Sequence, residues 1–206
     1  AVAKIVVGRA AAAASDRSRT LVRWGTVVLC GGRSRRMGRP KAWLPFGPET
    51  LLERTLRIVR SRADGPIIVV TADGQDLPAL PGDVGRAIDE RPERGPLEGL
   101  QAGLAALVDR CDAAYVTSCD VPLLHVDFIT AVCRALGPAE AAVPRVDGFL
   151  HPLASALRLE PALPRIRELL ADDDLRAAAL FARLDTRYLD ADDLRPADPN
   201  LQSLRN

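Results

Sequence analysis

Apolar residues along this chain alternate between short continuous runs and stripes at helical spacing. Residues 26–30, Thr-Val-Val-Leu-Cys, form a brief apolar run that breaks into a glycine-rich loop. A run that short, rich in β-branched residues and so bounded, predicts a buried strand. Residues 43–48 read as a turn-rich connector. Thr50 predicts a helix cap, with Glu53 as its capping-box partner. Leu51, Leu52, Leu56 and Val59 then recur at helical spacing to about residue 62, and Gly65-Pro66 closes that helix. Residues 66–71 are apolar almost throughout, which suits a strand covered on both faces.

Residues 73–81 read as polar and turn-like, 84–88 as a weaker strand and 89–96 as a charged loop. A helix is predicted over 97–108, with Leu97, Leu100, Leu104 and Val108 on one face. Residues 113–118 form the next strand, ending at Cys119-Asp120-Val121-Pro122. Helices follow over 125–136, 160–170 and 175–184, and strands over 140–143 and 149–157. From residue 188 onward no period is visible. Strands alternating with helices predict an α/β fold, a three-layer, Rossmann-like sandwich around a mainly parallel sheet. No repeat occurs, and nothing between residues 26 and 184 resembles a linker.

Composition narrows the picture. A chain of 206 residues, 48% of them hydrophobic, fits one domain with a real core. Net charge is only +1 and aromatics are 4%, which argues against a nucleic-acid surface. Five cations nevertheless crowd into residues 33–41, a distribution suited to a small anion. The four cysteines contain no Cys-x-x-Cys pair, so zinc and disulfide frameworks are disfavoured. Cys30 and Cys119 are expected to pack as small buried hydrophobes. No apolar run approaches the roughly 18 residues of a membrane span, and a reducing cytoplasm fits. Residues 1–24 begin at Ala1 and carry a poly-alanine run over 10–14, followed by Ser-Asp-Arg-Ser-Arg. This order does not suit a signal peptide. It predicts a poorly ordered extension ahead of a domain spanning 25–206.

The chemistry concentrates at strand ends, where α/β sheets bind ligands. Gly31 and Gly32 allow a sharp turn with backbone N–H groups close to a bound group. With Arg33, Arg35, Arg36, Arg39 and Lys41 around them, they form an anion trap suited to phosphates. The spacing matches neither a P-loop nor the dinucleotide fingerprint. Asp120 follows the strand over 113–118 and is read as a Mg²⁺ ligand, or alternatively as a helix cap. Gly95-Pro96-Leu97-Glu98-Gly99 starts a helix near the same crevice, and Gly99 leaves room for something flat to approach.

The loop resembles the nucleotidyltransferase pattern Gly-Gly-x-Ser-x-Arg-Met-Gly-x-x-Lys. Gly31, Gly32, Ser34, Arg36, Met37, Gly38 and Lys41 fill all its fixed positions. With the Gly-Pro-Leu-x-Gly and Cys-Asp-x-Pro segments, residues 26–206 resemble the molybdenum cofactor guanylyltransferases, the MobA-like branch of the nucleotidyltransferases. The resemblance implies that Leu29, Cys30, Gly31 and Gly32 open the nucleotide site and that Lys41 contacts phosphates. It further implies that Asp120 holds Mg²⁺, that Asp89 lies on the guanine side, and that Thr71 stands where the family often has asparagine. Residues 147–153, with His151, resemble the family's pterin-side stretch. Lys41, Arg36 and Asp120 are then the catalytic set. GTP and molybdenum-bound molybdopterin are the substrates, and molybdoenzyme maturation proteins are possible partners. Residues 203–206 resemble the approach to the family's Asn-x-Asn-Thr-Pro motif, so the resemblance implies a domain cut short at its C-terminus. Val121, where the cytidylyl branch tends to carry glutamine, favours guanine. A molybdopterin cytidylyltransferase, a sugar-phosphate nucleotidyltransferase and a non-catalytic nucleotide-binding relative remain the alternatives.

Overall fold

A computed structural model describes residues 22–31 and 40–206. The expected extension over 1–24 lies almost wholly outside the described residues. In chain order come β1 (Trp24–Leu29), β2 (Pro45–Phe46), β3 (Glu49–Thr50), α1 (Leu51–Arg60), β4 (Ile67–Ala72) and β5 (Val84–Asp89). Next are α2 (Pro96–Ala105), β6 (Ala113–Ser118), α3 (Val126–Ala135), β7 (Ala141–Val146), β8 (Phe149–Leu150) and β9 (Ala154–Arg158). The chain closes with α4 (Leu159–Ala171), α5 (Ala177–Ala182), β10 (Thr186–Leu189) and α6 (Ala191–Leu194).

The main sheet runs β10-β7-β9-β6-β1-β4-β5, with β8 paired to β7. Pairings β1–β4, β1–β6, β4–β5 and β7–β10 are parallel, while β9 is antiparallel to both neighbours. The sheet is therefore mainly parallel, as the alternation predicted. Successive strand residues point to opposite faces, and the two faces carry separate cores. Val28, Val69 and Tyr115 pack with Leu52, Leu56, Phe128 and Val132 of α1 and α3. Val27, Val70 and Val116 pack with Leu97, Leu104, Ile166 and Phe181 of α2, α4 and α5. Full burial of one such side chain contributes about 1.5–3 kcal/mol.

Local signals set several boundaries. The capping box forms: Thr50 N–H donates to Glu53 Oε2 at 2.7 Å, and Glu53 N–H donates to Thr50 Oγ1 at 3.3 Å. Three expectations need correction. The connector over 43–48 contains a small β2–β3 hairpin turned at Gly47, whose φ is +64°. The single strand expected over 149–157 is two, β8 and β9. Between them Ala154 N–H bonds back to His151 O, and Pro152 has no N–H for a ladder. The expected aperiodic tail holds β10, which pairs with β7, and α6, capped by Asp190. β10 is too short and exposed for a pattern to show, with only Leu189 buried. Among the described residues no helix is long and apolar enough to cross a membrane.

Helix α2 lies unusually close to the sheet. A Cβ on Gly103 would stand 2.5 Å from Val27 Cγ1 and 2.9 Å from Val70 Cγ2. Alanine normally stabilises a helix interior by about 1 kcal/mol over glycine. Here overpacking against two fully buried valines outweighs that gain. Gly103→Ala should lower stability by about 1–3 kcal/mol in urea unfolding; a midpoint at or above wild type would show that α2 can retreat freely.

Candidate active site

The topology locates the site. From β1 the chain moves to β4 and β5, then returns to place β6 on the other side of β1. The crevice outside the carboxyl ends of β1 and β6 is thus the point where crossovers diverge, the favoured ligand position in such sheets. A cleft of about 500 Å³ opens there. It runs from Asp89 at the end of β5, past Val70, Leu29, Cys30 and Gly31, to Ser118 at the end of β6 and Asp120 beyond it, and on to His151 and Asn206.

At its centre Lys41 Nζ donates to Asp120 Oδ2. The Asp120 side chain is 14% exposed, and Ser118 Oγ donates to its other oxygen at 2.6 Å. Burial pushes the Asp120 carboxyl up, but hydrogen bonds from Lys41 and Ser118 outweigh it, so the net displacement is downward. Asp120 is therefore ionised at neutral pH. Among the described residues that line the cleft, Lys41 is the one lysine or arginine.

Asp89 at the far end behaves differently. It is 5% exposed, and its Oδ1 accepts from Arg91 N–H at 3.0 Å. Burial raises its carboxyl above the ordinary range, and nearby Glu98 and Glu93 push the same way. Glu98 is itself anchored by Arg91 and Arg94, each 2.8 Å from its Oε1. Gly99 lies beside Asp89: a Cβ there would come within 3.2 Å of Asp89 Oδ2 and 3.3 Å of Leu29 Cδ2.

The structure thus gathers Leu29, Cys30, Gly31, Lys41, Asp89 and Asp120 along one cleft. It does not bring Thr71 there. Thr71 is fully buried, its Oγ1 accepting from Arg86 Nε at 2.9 Å. Alternation along β4 gives the cleft Val70 and turns Thr71 to the other face. Gly32 and Arg36 lie outside the described residues. Cys30 and Cys119 are buried, as expected of small hydrophobes, and both line the cleft. The Cys119 thiol and burial together push the Cys30 thiol up. His125 is the N-cap of α3 but makes no side-chain cap bond.

Two contributors escaped the sequence reading. Ser118 steadies Asp120. Gln75 ties β1 to β4, with Nε2 donating to Cys30 O at 2.9 Å and Oε1 accepting from Ala72 N–H at 3.1 Å. Of these, only the polar residue just before Cys-Asp could have been suspected from its place at a strand end. Ser203 and Leu204, within the stretch likened above to the approach to the C-terminal motif, line the opposite wall.

The model of the MobA-like NTP transferase domain matches residues 26–187. The chain belongs to that family. It is a nucleotidyltransferase with the family's Rossmann-like fold. A Mycobacterium tuberculosis protein named as a probable molybdenum cofactor guanylyltransferase is 38% identical over 174 residues, 82% of this chain and 85% of that one. Molybdopterin-guanine dinucleotide biosynthesis protein A from Archaeoglobus fulgidus superposes with a TM-score of 0.70 at 19% identity, covering 87% of this chain and 89% of that one. Rv0371c of Mycobacterium tuberculosis, solved in complex with manganese, gives 0.60 at 18% identity, covering 87% and 100%. These two likenesses speak for the fold.

The raised Asp89 carboxyl carries a stability consequence. With its folded-state pKa above the ordinary value, ionisation opposes folding. That contribution to stability is full below the ordinary carboxyl range and is lost as pH rises through the folded pKa. Asp89→Asn, which mimics the neutral acid, should therefore raise Tm at pH 7, with the gain shrinking toward pH 3. A variant less stable than wild type at pH 7 would contradict this account of the buried carboxylate.

Proposed function

We propose that this nucleotidyltransferase moves GMP from GTP to molybdenum-bound molybdopterin, releasing pyrophosphate and forming the guanine dinucleotide cofactor. The supporting observation is the Lys41–Asp120 pair at the middle of a cleft whose far end carries Asp89, in a chain similar to probable molybdenum cofactor guanylyltransferases.

In this reading the acceptor's terminal phosphate attacks the α-phosphorus of GTP. The bond to the bridging oxygen breaks, and pyrophosphate takes the electron pair. A phosphate monoester is already anionic, so no strong general base is needed. Catalysis is mainly positioning and charge neutralisation. Gly31 N–H, with Gly32 N–H and Arg36, would hold the phosphate chain. Leu29 and Cys30 would belong to the same nucleotide-binding set; Thr71, turned to the other face, instead links β4 to β5 through Arg86. Lys41 would exchange Asp120 for phosphate oxygens when the triphosphate arrives. Asp89 would accept from the guanine edge, at the end of the cleft where Gly99 admits a flat ring.

The fit to a divalent ion rests on Asp120. No cluster of three or more metal-ligating side chains occurs among the described residues. One ionised carboxylate suits Mg²⁺, which takes most ligands from phosphates and water. Bound there, the ion supplies neutralisation of the charge on the transferred group. The proposed setting is the cytoplasm, with the product passing to molybdoenzyme maturation proteins.

Asp120→Ala and Lys41→Ala should each reduce GMP transfer by a hundredfold or more with circular dichroism unchanged; wild-type turnover by both would sink the assignment. In a panel of four triphosphates scored by pyrophosphate release, GTP should lead in wild type, and Asp89→Ala should flatten that preference. A wild-type enzyme that favours CTP would transfer the proposal to the cytidylyl branch.

A further inference from the structure

Four strand intervals separate β5 from β9 along the cleft, a span of roughly 19 Å at the usual inter-strand spacing. That length accommodates more than the nucleotide, with Asp120, just after β6, three of the four intervals along from β5. The part beyond Asp120 is walled by the turn between β8 and β9, with His151, and by the C-terminal segment, with Ser203, Leu204 and Asn206. His151 is half-buried, and burial lowers its pKa, leaving a neutral imidazole beside the cleft.

The C-terminal wall hangs on one buried acid. Asp198 is 1% exposed, and among the described residues it has no lysine or arginine partner. Its Oδ2 accepts from Ser203 N–H at 2.7 Å. Ser203, itself 1% exposed, accepts through Oγ from His125 N–H at 2.9 Å. His125 lies at the start of α3, in the loop that also carries Asp120. Leu201 is held in the left-handed region at φ +50°, a conformation that disfavours leucine and must be enforced by its surroundings. Burial pushes the Asp198 carboxyl up, yet its hydrogen bonds with Ser203 and Gln202 bring it below the ordinary range. His125 nearby pushes the same way, but a buried charge compensated mainly by hydrogen bonds is sensitive to the placement of those donors.

We propose that Asp198 is a positioning residue for the acceptor half of the cleft. Its carboxylate fixes the turn over residues 201–204 and thereby presents Leu204 and Asn206 as the wall against which the acceptor docks. The acceptor's identity rests on the function proposed above; the wall does not. The arrangement separates the two substrates: Asp198 governs acceptor affinity and leaves nucleotide affinity alone.

Asp198→Ala should raise the KM for molybdopterin at least tenfold while the Kd of Mg²⁺·GTP, measured by calorimetry, stays within twofold. Asp198→Asn keeps an oxygen for Ser203 N–H and should recover most of the loss. An unchanged acceptor KM, or an equal loss of GTP affinity, would overturn the proposal. Hydrogen exchange on the full chain reads the wall directly. Amides of residues 201–205 should lose protection in Asp198→Ala while those of β1 and β6 keep it; retained protection overturns the proposal whatever the acceptor. Should Asp198→Ala fail to fold, Ser203→Ala, which removes the Oγ links to His125 and Asp198 but leaves the Ser203 N–H bond to Asp198, must still raise the acceptor KM. Absence of any GMP transfer by wild type would refute the function instead, leaving the exchange result to decide the role of Asp198.

Discussion

Two neighbouring parallel strands, β1 and β6, end at the same edge of the sheet, and the remaining site geometry depends on that register. Leu29 stands opposite Ser118, so the segments that follow leave the sheet side by side. Cys119 N–H bonds to Leu29 O, locking the two strand ends together. Gly31 and Asp120 are then close neighbours by construction, and Lys41 closes the gap as an ion pair. In water such a pair contributes little. In a partly enclosed cleft, with Ser118 donating to the second oxygen, it holds a carboxylate charged and aimed.

The Asp89 end of the cleft is shaped by close approach. Gly99 and Gly103 stand one helical turn apart on α2, and both face the sheet. Side chains at these positions would hold the helix off β1 and β4 and fill the space beside Asp89. The same closeness dehydrates Asp89, which explains why two carboxylates in one cleft shift in opposite directions. Asp120 has a cation and a hydroxyl in contact, whereas Asp89 has one backbone N–H and two acids nearby.

The two ends of the cleft draw on different parts of the fold. The Asp89 end uses the parallel strands β5, β4 and β1. The far side uses the reversed strand β9, the turn before it and the C-terminal segment. The C-terminal segment is attached through a few buried polar links rather than through the sheet itself.

The fold class was legible because strands buried on both faces cannot hide their composition: residues 66–71 and 113–118 could be little else. The capping box at Thr50 and Glu53 was legible for a similar reason, since both partners are local. The glycine-rich loop and Cys-Asp-x-Pro carried the family by spacing alone. What the chain could not disclose was anything decided by contacts distant in sequence. The burial of Thr71, the break between β8 and β9, the addition of β10 and the structured tail all depend on packing between segments far apart. The meeting of Lys41 with Asp120, 79 residues away, is of the same kind. Sequence by itself determined the fold class, the buried strands and the main helices, and marked the candidate side chains for phosphate chemistry, because periodicity and motif spacing are local. Only the tertiary structure decided which carboxylate is held charged, which segments wall the cleft beyond Asp120 and which buried acid ties down the C-terminal segment, because desolvation and long-range hydrogen bonds exist only once the chain has closed on itself.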